Sequence, residues 1–304
     1  MPEHRPVLLR EVIEALRPGE GGVFVDCTFG RGGHAGALLE RVGPGGRVIG
    51  LDRDPEAVAA ARRWAETDPR LVVRAAPFSA LAREAADLGV AGKVDGVLFD
   101  LGVSSPQLDA PERGFSFLRE GPLDMRMDPG AGPSAGEWLD TADEAEIVSV
   151  LRSYGEEPQA RRIAAAIVRA RPIATTRELA AVIEQAVPRR ARDHHPATLT
   201  FQAIRIFINR ELEELDSVLP QCLDVLRPGG RLAVISFHSL EDRRVKRFIR
   251  DEARGDPYPR DLPVAAAALH PRLHPVGRAV RATEEEVREN PRARSAVLRV
   301  AEKL

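Results

Sequence analysis

Short apolar runs alternate with amphipathic segments over the first hundred residues. Val23–Val25, Arg47–Leu51 and Leu71–Arg74 are each followed by a segment in which apolar residues recur at helical spacing. A fourth run, Asp95–Asp100, ends in an acid. Short continuous apolar runs are typical of strands buried on both faces of a parallel sheet. The pattern therefore predicts an α/β fold with a parallel sheet.

The pattern changes in the middle of the chain, where it is helical from about 134 to 196 without an intervening strand. Beyond it we predict one long helix from Phe201 to Leu226, a fifth strand over 231–237 and a last strand over 296–300. A helical insertion thus separates the fourth strand from the fifth. The predicted domains are 1–108 for the first part of the sheet domain, 109–196 for the loop and helical insertion, and 197–304 for the second part.

A glycine-rich turn follows the first predicted strand. Gly30, Gly32 and Gly33 come directly after this strand, and a helix is predicted from Ala35. Glycine lets the backbone bend sharply and approach a ligand closely. A strand, a glycine turn and a helix form the first unit of nucleotide-binding α/β folds. We therefore predict a ligand site at this turn, with a purely structural turn as the alternative.

Two acids near the turn bear on the choice of ligand. The segment 30–35 fits the loose dinucleotide pattern, so NAD is one candidate. Asp26 opposes NAD, because a carboxylate at the strand end repels a pyrophosphate in a partly desolvated site. S-adenosylmethionine has no phosphate and carries a positive sulfonium and a positive ammonium group. Asp52, at the end of the second strand, suits ribose hydroxyls, so we favour S-adenosylmethionine.

Two further positions follow the third and fourth strands. Phe78 either stacks on an adenine or belongs to the core. Asp100 ends the fourth strand and opens the segment that runs to Gln107. Ligands of open α/β sheets lie beyond the carboxyl ends of the strands. We therefore expect cofactor and substrate to meet at this segment.

Composition narrows the class of protein. The formal net charge is −2 over 304 residues, so no overall basic field attracts nucleic acid, and such binding would need local patches. Cys27 and Cys222 are the only cysteines, and we expect neither a disulfide framework nor a metal site. The first 16 residues lack an apolar signal region and no stretch is apolar enough to span a membrane. We expect a soluble cytoplasmic protein with no membrane partner.

Six motifs carry a resemblance to a known family. They are Thr28–His34, Asp100–Gln107, Glu112–Phe117, Leu123–Asp128, Ser236–Asp242 and Asn290–Ser295. In this order they resemble the bacterial rRNA small-subunit methyltransferase H family, also called MraW, over essentially the whole chain. The resemblance implies a class I, Rossmann-like methyltransferase that uses S-adenosylmethionine. It also implies methylation of N4 of one cytidine in the decoding region of 16S rRNA, with the helical insertion as a recognition domain.

The resemblance also implies a set of cofactor residues. These are Gly32, Gly33, His34, Asp52, Phe78, Asp100 and Gln107. We add Asp26, because its negative charge favours a positively charged ligand over a pyrophosphate. His34 and Gln107 come from the resemblance alone. The implied partner is 16S rRNA within the small ribosomal subunit, with a monomer and a homodimer both left open.

The catalytic group is less clearly marked. An exocyclic cytosine amine is a poor nucleophile and needs precise placement and a hydrogen-bond acceptor. Many amino-methyltransferases carry an Asn/Asp-Pro-Pro-aromatic motif after the fourth strand, and the segment 100–103 lacks the prolines and the aromatic residue. The candidate acceptors are Asp100, Ser104 and Ser105, with Asp124 and Asp128 as alternatives that equally suit salt bridges to Arg126.

Access to the target base requires unstacking it from the RNA. Aromatic residues can stack on such a base, and arginines can contact phosphates. The predicted substrate contacts are Arg113, Phe115, Phe117, Arg126, His238, Arg292 and Arg294. The alternative for the loop residues is an apolar lid over the cofactor.

Two rival functions are an NAD-dependent oxidoreductase and a non-catalytic RNA-binding or assembly protein.

Overall fold

The computed structural model describes residues 6–187, 195–256 and 269–304. The chain divides into two compact units. The first comprises Met1–Gly102 and Leu212–Leu304, and the second comprises Val103–Glu211. The domain boundaries predicted from sequence, at 108 and 196, differ from this division.

The strands all belong to the first unit. They are β1 (Val23–Asp26), β2 (Arg47–Asp52), β3 (Leu71–Ala75), β4 (Val94–Asp100), β5 (Leu226–Ser236), β6 (Leu273–Pro275), β7 (Val280–Arg281) and β8 (Val297–Lys303). The order in the sheet is β3-β2-β1-β4-β5-β8-β6, and β7 also pairs with β8. Neighbours from β3 to β5 are parallel, whereas β8 is antiparallel to β5. The predicted parallel α/β sheet is confirmed.

Helices follow the strands and fill the second unit. They are α1 (Leu9–Leu16), α2 (Gly33–Val42), α3 (Pro55–Ala65), α4 (Leu81–Asp87), α5 (Ser105–Asp109), α6 (Ala135–Thr141), α7 (Glu144–Gly155), α8 (Ala160–Ala170), α9 (Thr176–Ala186), α10 (Thr198–Ile208), α11 (Glu211–Val225), α12 (Ser239–Arg254) and α13 (Glu284–Glu289). In the described ranges, none of them is both long and apolar enough to cross a membrane.

Both faces of the sheet are buried, which explains the continuous apolar runs. Successive strand residues point to opposite faces. Val25 and Ile49 therefore pack in one core cluster, and their neighbours Phe24 and Val48 pack in another. The order β3-β2-β1-β4-β5 reverses direction between β1 and β4, so these two strands end at the switch point of the sheet.

The helix predicted from Phe201 to Leu226 is wrong as a single element, because α10 and α11 are separate helices. Arg210, between them, has φ 51, a left-handed conformation that a helix cannot contain. Asn209 is buried, and its side chain bonds the backbone of Met125 and Met127 at 2.7 Å each. The break thus places a polar side chain against the loop that precedes α6. Moreover, α10 packs against α7, which explains why the second unit extends beyond 196.

The apolar side chains of the loop 113–129 belong to the core of the second unit. Phe115, Leu123 and Met125 are buried in one cluster with residues of the helices. Their partners are distant in sequence, and no helical or strand period marks them. The loop is therefore part of a packed core.

Candidate functional site

Acidic residues end three neighbouring strands of the first unit. Asp26 closes β1, Asp52 closes β2 and Asp100 closes β4. Because these strands are parallel and adjacent, their carboxyl ends lie on one edge of the sheet. The structure therefore brings together the acids that the sequence singled out.

The glycine turn is tied to the end of β2. Gly30 and Gly32 have φ values of 53 and 76, the left-handed region that favours glycine. The amide of Gly30 donates a 2.7 Å hydrogen bond to Asp52 Oδ2. Asp52 Oδ1 accepts a second bond, of 2.9 Å, from the amide of Asp54. Asp52 thus holds the turn in place, a role that the sequence did not reveal.

The residues before α1 pack against the start of α2. A Cβ atom on Gly33 would overlap the ring of Pro6, so the close approach of the two segments requires glycine. The carbonyl of Val7 accepts a 3.1 Å hydrogen bond from the ring of His34. The amide of Leu8 donates to Glu286 Oε1 at 2.7 Å, which ties the same segment to α13.

His34 is held as a neutral ring with one defined acceptor. Burial lowers its pKa to about 4, against the opposing effect of the Val7 hydrogen bond. A carbonyl oxygen only accepts, so Nε2 carries the proton and Nδ1 keeps a lone pair. Nδ1 lies 3.7 Å from Asp100 Oδ2. Two acceptors therefore face each other, and this arrangement suits a ligand that donates hydrogen bonds.

Asp26 is almost fully buried at the end of β1, with 1% of its surface exposed. Its Oδ1 accepts a 3.1 Å hydrogen bond from the amide of Thr28. Burial raises the pKa of Asp26 to about 7, and the nearby charge of Asp52 acts in the same direction. The Thr28 hydroxyl accepts a 2.6 Å bond from the amide of Asp100, which joins the ends of β1 and β4.

Asp100 is the most perturbed acid of the site. Burial raises its pKa to about 8, and the charges of Asp26 and Glu241 add to the effect. Its Oδ1 is shielded from solvent and has no hydrogen-bond partner among the described residues. A buried acceptor without a partner is costly, and a positive ligand relieves both this cost and the like-charge repulsion. The site therefore favours a cation and opposes a pyrophosphate.

Glu241 is a residue that sequence reasoning missed. It is 2% exposed, and its Oε2 accepts a 2.8 Å bond from the amide of Phe237. Together with His238 it forms a capping box at the start of α12. Glutamate three residues after the cap is the signal that marks such a box, although histidine is an unusual capping residue.

Phe78 lies in a short 3₁₀ turn after β3 and is half-buried. Its ring meets Phe99 edge-on, with ring centres 5.7 Å apart. This contact belongs to the core beside the sheet. Stacking of Phe78 on an adenine stays a prediction.

The remaining cofactor and catalytic candidates lie in the second unit. Gln107 is buried, and its Oε1 accepts a 2.8 Å bond from the amide of Ser104. Ser104 and Gln107 form the capping box of α5, and Ser105 is the first residue of that helix. A role for these three residues toward ligand or substrate stays a prediction.

Two of the predicted phosphate-binding arginines have intramolecular partners. Arg113 is buried and donates to the backbone carbonyls of Arg126 and Met127. Arg126 pairs with both oxygens of Asp124, at 2.8 and 2.7 Å. The loop salt bridge considered for Asp124 is therefore present, whereas Asp128 accepts a bond from the amide of Gly130.

The other predicted substrate residues differ in exposure. Phe115 is in the core of the second unit, and Phe117 stacks on His195 with ring centres 4.5 Å apart. Arg292 and Arg294 are exposed on a 3₁₀ segment, Pro291–Ser295, which Asn290 caps. Their contacts with RNA stay predictions.

Comparison with known proteins assigns the chain to a family. A family model described as MraW methylase family matches residues 1–304. A protein of Thioalkalivibrio sulfidiphilus named "Ribosomal RNA small subunit methyltransferase H" is 58% identical over 100% of this chain and 98% of its own length. Proteins of the same name from Chromobacterium violaceum and Coxiella burnetii are 57% and 53% identical, over 99% and 100% of this chain and 95% and 100% of their own lengths.

The solved structures found by comparison are more distant in sequence. An rRNA methylase from Streptococcus thermophilus has a TM-score of 0.45 and 10% identity, over 99% of this chain and 98% of that chain. A fibrillarin from Aeropyrum pernix in complex with S-adenosyl-L-methionine has a TM-score of 0.42 and 11% identity, over 96% of this chain and 74% of that chain.

Proposed function

Because this chain belongs to the MraW methylase family, we propose that it methylates N4 of a cytidine in 16S rRNA, with S-adenosylmethionine as the methyl donor. The names of its relatives support an rRNA of the small ribosomal subunit as substrate. The resemblance of the six motifs supports the cytidine and its N4 atom. The observation that supports the cofactor most strongly is the partnerless, buried oxygen of Asp100 among neighbouring acids.

The residues of the site fit S-adenosylmethionine, which would supply an activated methyl group. We assign its positive amino group to Asp100 and to the Nδ1 lone pair of His34. Asp52 keeps lone pairs for ribose hydroxyls beyond its two backbone bonds. The glycine turn lets its backbone approach the ligand closely, and Phe78 would contact the adenine. Gln107 completes the proposed set.

The acids also explain why this site would reject NAD. The pKa values of Asp26 and Asp100 are raised because their negative charges are buried close together. A pyrophosphate would add further negative charge to the same region and increase the repulsion. A ligand with two positive groups instead stabilises the ionised carboxylates.

The chemical task of the protein is to position a weak nucleophile and to accept its proton. The lone pair of a cytosine amine is delocalised into the ring, so the protein must orient the amine and accept its hydrogen bonds. Asp100 is our first candidate for this acceptor as well, because a carboxylate has two oxygens, and one of them stays available when the other accepts from the amino group of the cofactor. Ser104 and Ser105 are the alternatives. Orientation of this kind contributes about 7 to 11 kcal/mol in well-placed reactions.

RNA recognition is assigned to both units of the chain. Arg292 and Arg294 are exposed and suit phosphates, whereas Arg113 and Arg126 first stabilise their own loop. Phe117 and His238 complete the proposed substrate contacts, with Phe115 supporting them from the core. We propose 16S rRNA within the small subunit as the partner, which places the activity in the cytoplasm.

Two measurements on the purified protein test the proposal. Calorimetry should show saturable binding of S-adenosylmethionine and no binding of NAD under the same conditions. A tritiated methyl group should then appear in the rRNA of small subunits that lack this modification. Tighter binding of NAD, or cofactor binding without any transfer to rRNA, would show that the proposed function is wrong.

A further inference from the structure

A groove with basic walls lies in the first unit, beside α12 and the connection between β6 and β7. Its volume is about 330 Å³. The residues that define this basic groove are Lys246, Arg250, Arg254, Arg278 and Arg299. Ile249, Val276 and Gly277 also line it and add no charge. Every charged side chain that lines the groove is therefore a cation.

Two of these cations are neutralised within the chain. Arg299 pairs with both oxygens of Asp242, at 2.7 and 3.0 Å. Arg250 pairs with Asp251 at 2.8 Å. By contrast, Lys246, Arg254 and Arg278 make no ion pair or side-chain hydrogen bond within the described ranges, and all three are exposed. The groove therefore presents three uncompensated positive charges.

The spacing of the cations on α12 makes them neighbours. Lys246, Arg250 and Arg254 are four residues apart and share one face of the helix. At about 1.5 Å per residue, their Cα atoms span roughly 12 Å. Like charges at this spacing destabilise a helix by a few tenths of a kcal/mol per pair. A row of three cations, of which only Arg250 has an ion-pair partner among the described residues, thus favours an extended anion over a single small one.

We propose that the basic groove binds the phosphodiester backbone of the RNA substrate. This proposal rests on the proposed function, because it concerns how the same substrate is held. The chain has a net charge of −2, so RNA affinity must come from local patches of this kind. The side chains of Ile249 and Val276 offer no hydrogen-bonding group, so they cannot read base edges, and recognition in the groove would rest on phosphate contacts of its cations.

The groove is separate from the cofactor site. The start of α12 follows the carboxyl end of β5, and the helix contains 16 residues, about 24 Å. Lys246 and Arg254 lie in its middle and at its end, away from Glu241. Changes in the groove should therefore alter RNA binding and leave cofactor binding intact.

The test compares two variants with equal loss of charge. The groove variant is K246Q/R254Q/R278Q. The control, R47Q/R62Q/R63Q, removes three exposed arginines of β2 and α3. Binding to unmodified small subunits is measured over a series of salt concentrations, with thermal unfolding as a check on folding. Affinity for S-adenosylmethionine is measured by calorimetry on the same preparations.

We expect the groove variant to lower the slope of log affinity against log salt by roughly two to three, at about 0.7 to 0.9 per phosphate contact. The control variant should change the slope by less than the value of about 0.7 to 0.9 expected for one phosphate contact. The affinity for S-adenosylmethionine should stay the same in both variants. Equal slopes in the two variants would overturn the proposal. If the groove variant keeps the wild-type salt slope but no longer binds inorganic phosphate, the groove is a site for a small anion. This result would also overturn the proposal.

The outcome is separable from that of the proposed function. If the wild-type protein transfers no methyl group to small-subunit rRNA, the proposed function is wrong. If the wild-type protein methylates rRNA and the groove variant keeps the wild-type salt slope, only the groove proposal is wrong.

Discussion

Replacing Asp100 with asparagine should weaken cofactor binding and change its dependence on pH. Asparagine keeps the size of the side chain and one oxygen acceptor, but it removes the negative charge. The backbone bond from residue 100 to Thr28 Oγ1 does not involve the side chain and is retained. The substitution therefore removes the electrostatic term with little change in shape.

The magnitude follows from the charge and from the raised pKa of Asp100. A hydrogen bond to a charged group contributes about 1.5 to 3 kcal/mol, so the dissociation constant should rise about 10- to 150-fold above pH 8. With a pKa of about 8, this carboxyl is about nine-tenths protonated at pH 7 in the unliganded protein. Binding of a cation should ionise it, so close to one proton should be released per ligand bound.

Calorimetry in buffers of different ionisation enthalpy measures this proton release directly. The wild-type protein should release close to one proton at pH 7, and its affinity should rise between pH 6 and about 7.5, below the pKa of the ligand's own amino group. The D100N variant should release fewer protons and show a flatter profile. Residual release would come from Asp26, whose pKa is also raised.

The matched control is Asp95→Asn, at the other end of the same strand. Asp95 accepts a bond from the amide of Val23 and pairs with Arg227, away from the carboxyl ends of the strands. D95N should therefore lower stability only, with wild-type proton release. Equal proton release by wild-type and D100N proteins would refute the role of Asp100.

The same carboxyl makes a linked prediction for the stability of the unliganded protein. Because its folded-state pKa lies well above that of a free aspartate, about 3.9, its stabilising contribution is complete below about pH 4 and is lost as the pH rises towards 8. D100N removes this loss. The stability of D100N relative to wild type, from urea unfolding, should therefore increase between pH 5 and pH 8, and a decrease would contradict the reasoning.

Three further substitutions test separate parts of the structure. Asp52→Ala removes the acceptor for the Gly30 amide, so calorimetry should show about 10-fold or greater loss of cofactor affinity, and unchanged affinity would exclude Asp52 from the site. Gly33→Ala places a methyl group against Pro6, so the melting temperature and cofactor affinity should both fall, and retention of both would contradict this packing. Arg113→Ala removes a buried donor to two loop carbonyls and should lower the free energy of unfolding by about 1.5 to 3 kcal/mol, measured with urea.

The sheet could be predicted from sequence because β1 to β4 contain short apolar runs, and β1, β2 and β4 end in an acid. Local signals also mark α3, because Asp54 suits an N-cap and Pro55 suits the first helical position, and both residues hold these places in the structure. The short strands β6 and β7 and helix α13 were not predicted, since few of their residues are buried and they show no period. Their pairing with β8 is non-local. The proline-rich stretch 256–283 shows only weak periodicity in the sequence, and it lies partly outside the described residues.

The acids of the site could be predicted from their places at strand ends, but their protonation could not. The tautomer of His34 depends on the carbonyl of Val7, which is 27 residues away in sequence. The raised pKa of Asp100 depends on burial and on Glu241, a residue of a distant helix. Likewise, the partners of the loop around Phe115 come from helices that follow it. Such properties arise only when distant segments pack together.

Locating the transferred methyl group tests most directly the proposed methylation of one cytidine amine of 16S rRNA. Purified protein should be incubated with unmodified small subunits and S-adenosylmethionine carrying a deuterated methyl group, and the rRNA then mapped by mass spectrometry after nuclease digestion. We expect one deuterated methyl group, on N4 of a single cytidine in the decoding region, and a large loss of it with D100N. A label on carbon, on ribose or on another nucleotide, or no label in the rRNA although the protein is folded and binds the cofactor, would contradict the proposed methylation.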